Sequence, residues 1–209
     1  MSHFDKTQSL SSVADARSLY DEWATSYEKE MTGETHNYVA PAVASAYVMK
    51  CLNAPSIDEN IEILDAGCGT GLVGTHLSKL GAKKIDGLDL SPGMLEIARK
   101  TEVYRSLEES DLSQRLSLRD SSYDMVVCVG TLTGGHVGPE ALDEFVRITK
   151  VDGFVVATVR DTYWESGGYK AKAIALAEEG KAQIVNDDVD DYRPGAGVKA
   201  RMLVLKVLE

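Results

Sequence analysis

Asp65, Gly67, Gly69 and Gly71 alternate through Asp65-Ala66-Gly67-Cys68-Gly69-Thr70-Gly71, directly after the apolar run Ile61-Glu62-Ile63-Leu64. A strand ending in an acid and a glycine-rich turn suits the phosphate, ribose or amino-acid end of a nucleotide-like ligand. Glycine reaches positive φ and allows close backbone approach, and the helix after the turn opens with unpaired N–H groups. Asp65 closes an apolar strand, so it needs a partner, either loop N–H groups or a ligand's ammonium. A second acid, Asp89, lies about 20 residues beyond the turn. Together with Gly69-Thr70-Gly71-Leu72-Val73-Gly74 it satisfies the dinucleotide pattern G-x-G-x-x-G, so spacing alone leaves a nicotinamide cofactor open. No Gly-Lys-Ser/Thr follows the turn, which excludes a P-loop.

The elements that must hold these residues alternate along the chain. Residues 1–12 are polar and Ser-rich and read as a mobile tail. From Val13, the residues Leu19, Tyr20, Trp23, Ala24, Tyr27 and Met31 fall at helical intervals, so their aromatic rings share one face. That face is either core or a lid over a ligand. A second helix begins around Asn37–Pro41 and runs to Leu52, and Asp58-Glu59-Asn60 leads into the strand Ile61–Leu64. A helix from Leu72 stops at Gly81, the strand Lys84–Leu90 follows, and Ser91-Pro92 caps a helix to about Lys100. Val103–Leu107 is a weak third strand and Tyr123–Val129 a continuous apolar one, as in buried parallel sheets. Gly130–Gly138 reads as a loop, Pro139 opens a helix, and Phe154–Val159 is the next strand. Arg160–Gly168 reads as another loop, Tyr169–Glu179 as a helix, and Gln183–Val185 with Ala200–Leu208 as a closing pair of strands. Alternation predicts right-handed βαβ units and a parallel sheet; the helix-free closing pair predicts an antiparallel hairpin at one edge.

Composition narrows the class. With 209 residues, 44% apolar and 26% charged, the chain suits one soluble globular domain. A net charge of −11 argues against a broad nucleic-acid footprint. Cys51, Cys68 and Cys128 are too few and too scattered for a disulfide framework and suit a reducing compartment. No run approaches ~20 apolar residues and the N-terminus has no signal core, so the expectation is a cytoplasmic protein without a membrane span. No metal site is expected.

The turn Asp65–Gly71 as a whole resembles motif I of the class I S-adenosylmethionine-dependent methyltransferases. Asp89-Leu90-Ser91-Pro92-Gly93-Met94 resembles that family's second motif. Tyr20-Asp21-Glu22-Trp23-Ala24-Thr25-Ser26-Tyr27, Cys68–Val73, Ser91–Glu96 and Val129-Gly130-Thr131-Leu132 extend the likeness over almost the whole chain. They are similar to the methyltransferase-like group of the Williams–Beuren syndrome region. Lys150-Val151-Asp152-Gly153 departs from the group's usual Lys-Pro-Gly-Gly. The resemblance implies a Rossmann-like three-layer α/β/α sandwich with a mostly parallel seven-stranded sheet and an antiparallel terminal strand. Residues 1–60 would form a helical cap and 61–209 the core of one domain.

The resemblance also implies S-adenosylmethionine as cofactor and assigns roles. Asp89 would accept from the ribose hydroxyls, a charge-assisted bidentate contact. Gly67, Gly69 and Gly71, with Asp65 and Ala66, would hold the methionyl end. Leu90 and Met94 would wall the adenine, Asp111 and Leu112 would meet its amino edge, and Val129 would line the site. Tyr20, Trp23 and Tyr27 would close over the cofactor, with cation–π attraction to the sulfonium. Methyl transfer needs alignment and water exclusion first, and a base only if the nucleophile must lose a proton. His136 is the candidate base and Thr131 and Thr133 the orienting hydroxyls, although a loop histidine serves equally well as a structural hydrogen-bonding group. Asp161, Tyr163 and Trp164 are candidate acceptor contacts. The expected acceptor is a small molecule, with no obligate protein partner. Two other readings stand beside this one: a cofactor-binding protein without efficient catalysis, and an NAD-dependent oxidoreductase.

Overall fold

A computed structural model describes residues 3–7, 10, 12–133 and 137–209. Its strands are β1 (Glu62–Ala66), β2 (Lys84–Asp89), β3 (Ser106–Glu109), β4 (Tyr123–Leu132), β5 (Thr149–Arg160), β6 (Ala182–Asn186), β7 (Val189–Arg193) and β8 (Val198–Val207). They form a sheet of order β3-β2-β1-β4-β5-β8-β6, with β7 also on β8. The first five are mutually parallel, and β8 runs antiparallel to β5, β6 and β7. β6 covers Val204–Val207 of β8 and β7 covers Val198–Arg201, so the two are successive pieces along one edge. The sheet is therefore seven positions wide. The last strand lies between β5 and the edge pieces β6 and β7 and is antiparallel to all three, so the expected antiparallel closing pair stands at one edge, with three strands where the sequence suggests two.

Helices cover both faces. α4 (Ala40–Leu52), with α5 (Leu72–Lys79), packs with Ile63, Ile85, Met125 and Val127 on one face. α7 (Ala141–Ile148) and α9 (Tyr169–Glu178) pack with Leu64, Val126, Cys128 and Val155 on the other. Adjacent residues of β1 and β4 thus feed opposite cores, which is why both read as unbroken apolar runs.

The N-terminal region departs from the sequence reading. α1 (His3–Thr7) is a helix inside the expected tail. His3 stacks on Trp23 with centroids 5.7 Å apart, and Phe4 sits 5.1 Å from His36, contacts that no local pattern announces. The expected long aromatic helix divides into α2 (Val13–Trp23) and α3 (Tyr27–Thr32). Ser12 caps α2 through the Asp15 N–H. Asp21 of α2 accepts from the Ser91 hydroxyl and, at 2.9 Å, from the Gly93 N–H. Both donors sit at the start of α6 (Pro92–Arg99), and Arg17 pairs with Glu109 at 2.9 Å. These contacts fix α2 across the carboxyl ends of β2 and β3.

Other boundaries shift by a few residues. β3 begins at Ser106, where its residues pair with Asp86–Asp89. β4 continues to Leu132, past the expected loop start, and β5 begins at Thr149 through a register shift in the β4–β5 pairing. The helix expected at Pro139 starts at Ala141, and α8 (Asp161–Trp164) opens the expected 160–168 loop. Among the described residues, no helix is long and apolar enough to cross a membrane.

Candidate functional site

Two clefts meet above the carboxyl ends of the parallel strands. The first spans about 690 Å³, part of it open to solvent, and is lined by Tyr20, Tyr27, Gly67, Gly69, Asp89, Leu90, Met94, Asp111, Leu112, Val129 and Thr131, with Val13, Ser110, Gly130 and Val137 completing it. Most of the residues that sequence assigns to cofactor binding are thereby brought together from six separate segments.

Asp89 ends β2 with its carboxylate already oriented. Gly69 N–H donates to Oδ2 at 2.8 Å and Ser91 N–H to Oδ1 at 2.9 Å. Each oxygen retains acceptor capacity, as two ribose hydroxyls would require. Burial pushes this carboxyl up, the Ser91 and Gly69 N–H groups act against that, and nearby Asp21 adds to the rise. Gly67, at φ +79°, is required by packing as well as conformation. A Cβ there would lie 2.1 Å from Thr131 Oγ1, so the turn and β4 close on each other only without a side chain. Leu90, Met94, Leu112 and Val129 supply apolar walls. Leu112 reaches the cleft because the chain after β3 turns back, even though the strand itself lies later than expected.

Asp65, Ala66 and Gly71 do not line this cleft. Asp65 is fully buried, and its Oδ2 accepts from the Tyr104 hydroxyl at 2.7 Å. Its Oδ1 has no partner among the described residues. Burial pushes the carboxyl up to about 7, with the Tyr104 bond pulling the other way. Ala66 is buried in the core and Gly71 lies against Tyr104 and Thr101. Tyr104, absent from the sequence reading, is thus the partner that Asp65 needs.

The second cleft, about 570 Å³, adjoins the first through the shared residues Tyr20, Tyr27 and Gly130. Trp23, Thr133 and Tyr163 also line it, as do Phe4, Thr7, Met31, Arg160, Tyr192 and Arg193. Trp23 is only 1% exposed, stacked on Tyr20 at 6.1 Å and edge-on to Tyr27 at 4.8 Å. The aromatic face is therefore core and cleft wall at once. Burial pushes the Tyr20 and Tyr27 phenols up, so both stay protonated near neutral pH. Gly130, at φ +84°, forms the floor; a Cβ would lie 2.6 Å from the Tyr38 hydroxyl.

The remaining expectations separate. Thr131 lines the first cleft and Thr133 the second. His136 lies outside the described residues. Asp161 lines neither cleft, because Arg201 Nε donates to its Oδ1 at 2.9 Å. Trp164, 3% exposed, belongs to the core beneath β5. Both depart from the expected acceptor role because the segment is helical there and turns Trp164 inward. Arg160, Tyr192, Arg193 and Phe4 were missed; they come from distant segments with no shared spacing. The only signal was Arg193 beside Tyr192, a pair that reads as the entry to a Pro-Gly turn.

The clefts carry opposite charge. Among the described residues, the first is lined by Asp89 and Asp111 and by no cation, the second by Arg160 and Arg193 and by no carboxylate, imidazole or thiol. The cysteine thiols are all pushed up by burial, Cys51 to about 11.

Comparison with known proteins agrees with this architecture. Residues 63–153 match the family model described as a methyltransferase domain. Human methyltransferase-like protein 27 is 36% identical over 143 residues, 68% of this chain and 56% of that protein. The ubiquinone/menaquinone biosynthesis C-methyltransferase of Zymomonas mobilis is 31% identical over 139 residues, 63% of this chain and 56% of that protein. The chain thus spans about half the length of these curated relatives. Magnesium protoporphyrin IX methyltransferase of Synechocystis, solved with bound SAH, shares the fold at a TM-score of 0.58 and 20% identity, covering 81% of this chain and 82% of that one.

Proposed function

Because the chain belongs to the class I S-adenosylmethionine-dependent methyltransferases, we propose that it transfers a methyl group from S-adenosylmethionine to a small-molecule acceptor. The observation that carries the proposal is the acidic first cleft, built around the pre-oriented Asp89 and opening onto a second cleft through Tyr20, Tyr27 and Gly130. A cationic nucleoside fits a cleft whose charged lining residues, among those described, are carboxylates. The nicotinamide reading of Gly69–Gly74 gives way to the family assignment.

Bound S-adenosylmethionine supplies an electrophilic methyl carbon on a sulfonium leaving group. The chain's own residues bind, orient and exclude water. Asp89 would hold the ribose hydroxyls, Leu90, Met94 and Leu112 the adenine, and Gly67 and Gly69 the backbone side of the methionyl end. Tyr20 and Tyr27 would screen the reacting centre from solvent while their rings favour positive charge. The second cleft would hold the acceptor, with the Thr133 hydroxyl in its wall and the Thr131 hydroxyl facing from the donor's side. With no basic group among its described lining, the acceptor's attacking atom would arrive unprotonated. Residues 1–60 act in this reading as a cap on the core formed by 61–209, in a single domain. The named role of the Zymomonas relative in quinone biosynthesis supports a small acceptor. The buried free thiols of Cys68 and Cys128 support a reducing, cytoplasmic setting.

A screen of small-molecule extracts with methyl-labelled S-adenosylmethionine tests the reaction. Label must enter an acceptor at a catalytic rate and fail to do so with Asp89→Ala. A second cleft with no base among its described lining also suits a cofactor-binding protein without efficient catalysis. That second reading is correct instead if cofactor binds and no acceptor is labelled.

A further inference from the structure

We infer that the second cleft anchors its ligand through an oxyanion, a carboxylate or a phosphate carried on an aromatic or apolar body. This rests on the proposal that the first cleft holds the methyl donor and the second the acceptor.

The carrying residue is Arg193. Its side chain is 2% exposed, yet it lines the cleft, and both Nε and Nη1 lack a partner. Arg160 lines the same cleft with its Nε buried and unpartnered. Buried guanidinium groups are ordinarily paired with carboxylates, because an unanswered N–H in a dry site is costly. Here, among the described residues, no carboxylate lines the cleft. The neighbours are instead rings: Arg193 lies over Phe4 at 4.0 Å and near Tyr192 at 5.6 Å, and Arg160 lies 5.8 Å from Tyr163. Cation–π stacking on ring faces leaves the guanidinium edges, where the N–H donors lie, available. Burial pushes the Arg193 pKa down, with Arg160 adding to the fall, so the two cations act on one another. An oxyanion would relieve that repulsion and satisfy the open donors together. Guanidinium groups match carboxylate and phosphate oxygens in paired, charge-assisted contacts.

This arrangement stands out in a chain of net charge −11. The sequence has more acids than bases, yet two cations and, among the described residues, no acid line this cleft. The described lining of the adjoining cleft is the reverse, with two acids and no cation. A cationic donor and an anionic acceptor would therefore each be directed to its own side of the Tyr20–Tyr27 wall. Trp23, Tyr163 and Met31 give the body of the ligand flat and apolar surfaces to lie against.

The test titrates the full chain, loaded with S-adenosylhomocysteine, with phenylacetate, phenyl phosphate, phenylacetamide and phenethylamine by calorimetry. At least one of the two anions is expected to bind saturably, and which one does so distinguishes carboxylate from phosphate. The neutral amide and the amine are expected to bind at least about tenfold more weakly, the value of one charge-assisted contact. Arg193→Gln and Arg160→Gln should each weaken the anion by about tenfold while leaving S-adenosylhomocysteine affinity within about threefold. Arg193→Met guards against a folding artefact: removing an unanswered buried cation should leave the melting temperature of the unliganded protein equal or higher, and should abolish its rise with anion. The inference is overturned if the amide binds as well as the anions, if neither anion binds, or if both Gln variants keep full anion affinity. Failure of the donor-site reading shows separately, as absence of heat in the S-adenosylhomocysteine titration.

Discussion

Asp89 and Asp65 illustrate how two acids, each ending a strand, acquire different work from their surroundings. Asp89 is held by two N–H groups and faces a cleft, the placement that the proposed ribose contact requires. Its replacement by Ala should lower S-adenosylhomocysteine affinity by about 10- to 100-fold, and Asn, which keeps one acceptor, by less. Calorimetric titration measures both. Asp65 is buried with one oxygen unanswered, and its carboxyl titrates at about 7 in place of the ordinary 3.8. The folded state therefore holds a proton that the unfolded state has released. Its contribution to stability is complete below the unfolded value and lost as pH rises through about 7. Asp65→Asn, which keeps an acceptor for Tyr104, should flatten the decline of stability between pH 4 and pH 7 and raise the melting temperature above pH 7. Asp89, also pushed up by burial, leaves a residual slope. Urea unfolding of wild type and variant across that range is the check; parallel curves would contradict the assignment. The motif made Asp65 and Asp89 visible in the sequence. It could not show that Asp65 would turn to Tyr104, because that contact joins residues brought together only by the fold.

The strands and helices were legible where a local rule governs them. The alternation of apolar runs with capped helices gave β1, β2, β4 and β5 and the helices between them, and Ser91-Pro92 marked the start of α6. What stayed hidden depends on partners far along the chain. α1 is short and polar and is held by Trp23, His36 and Arg193. The break between α2 and α3, the position of β3 and the division of the edge into β6 and β7 follow from pairing, not from periodicity. The Asp21 contact with the start of α6 is the same kind of feature. It ties an N-terminal helix to the strand end that carries Asp89, so Asp21→Ala should loosen both. The expected results are a melting temperature lower by a few degrees and S-adenosylhomocysteine binding weaker by about threefold to tenfold, both measured on the purified chain. An unchanged affinity would show that α2 plays no part in holding the donor.

Taken whole, the molecule places two clefts, of opposite charge in their described lining, above the carboxyl ends of a seven-position sheet and separates them by two tyrosines and a glycine. The first cleft was largely foreseen from the sequence, since one turn, one acid and one capped helix build most of it. The second was not: Phe4, Arg160, Tyr192 and Arg193 share no motif, and an arginine in an acidic chain ordinarily reads as a surface charge. The proposed donor cleft rests on more of the chain's recognisable motif than the proposed acceptor cleft does. The decisive measurement is therefore calorimetric titration of the purified chain with S-adenosylhomocysteine, run in parallel on wild type and Asp89→Ala. Saturable one-to-one binding by wild type, sharply weakened by the substitution in a protein of unchanged fold, is the predicted result. No heat of binding from folded wild-type protein, or equal affinity in the two proteins, would contradict it.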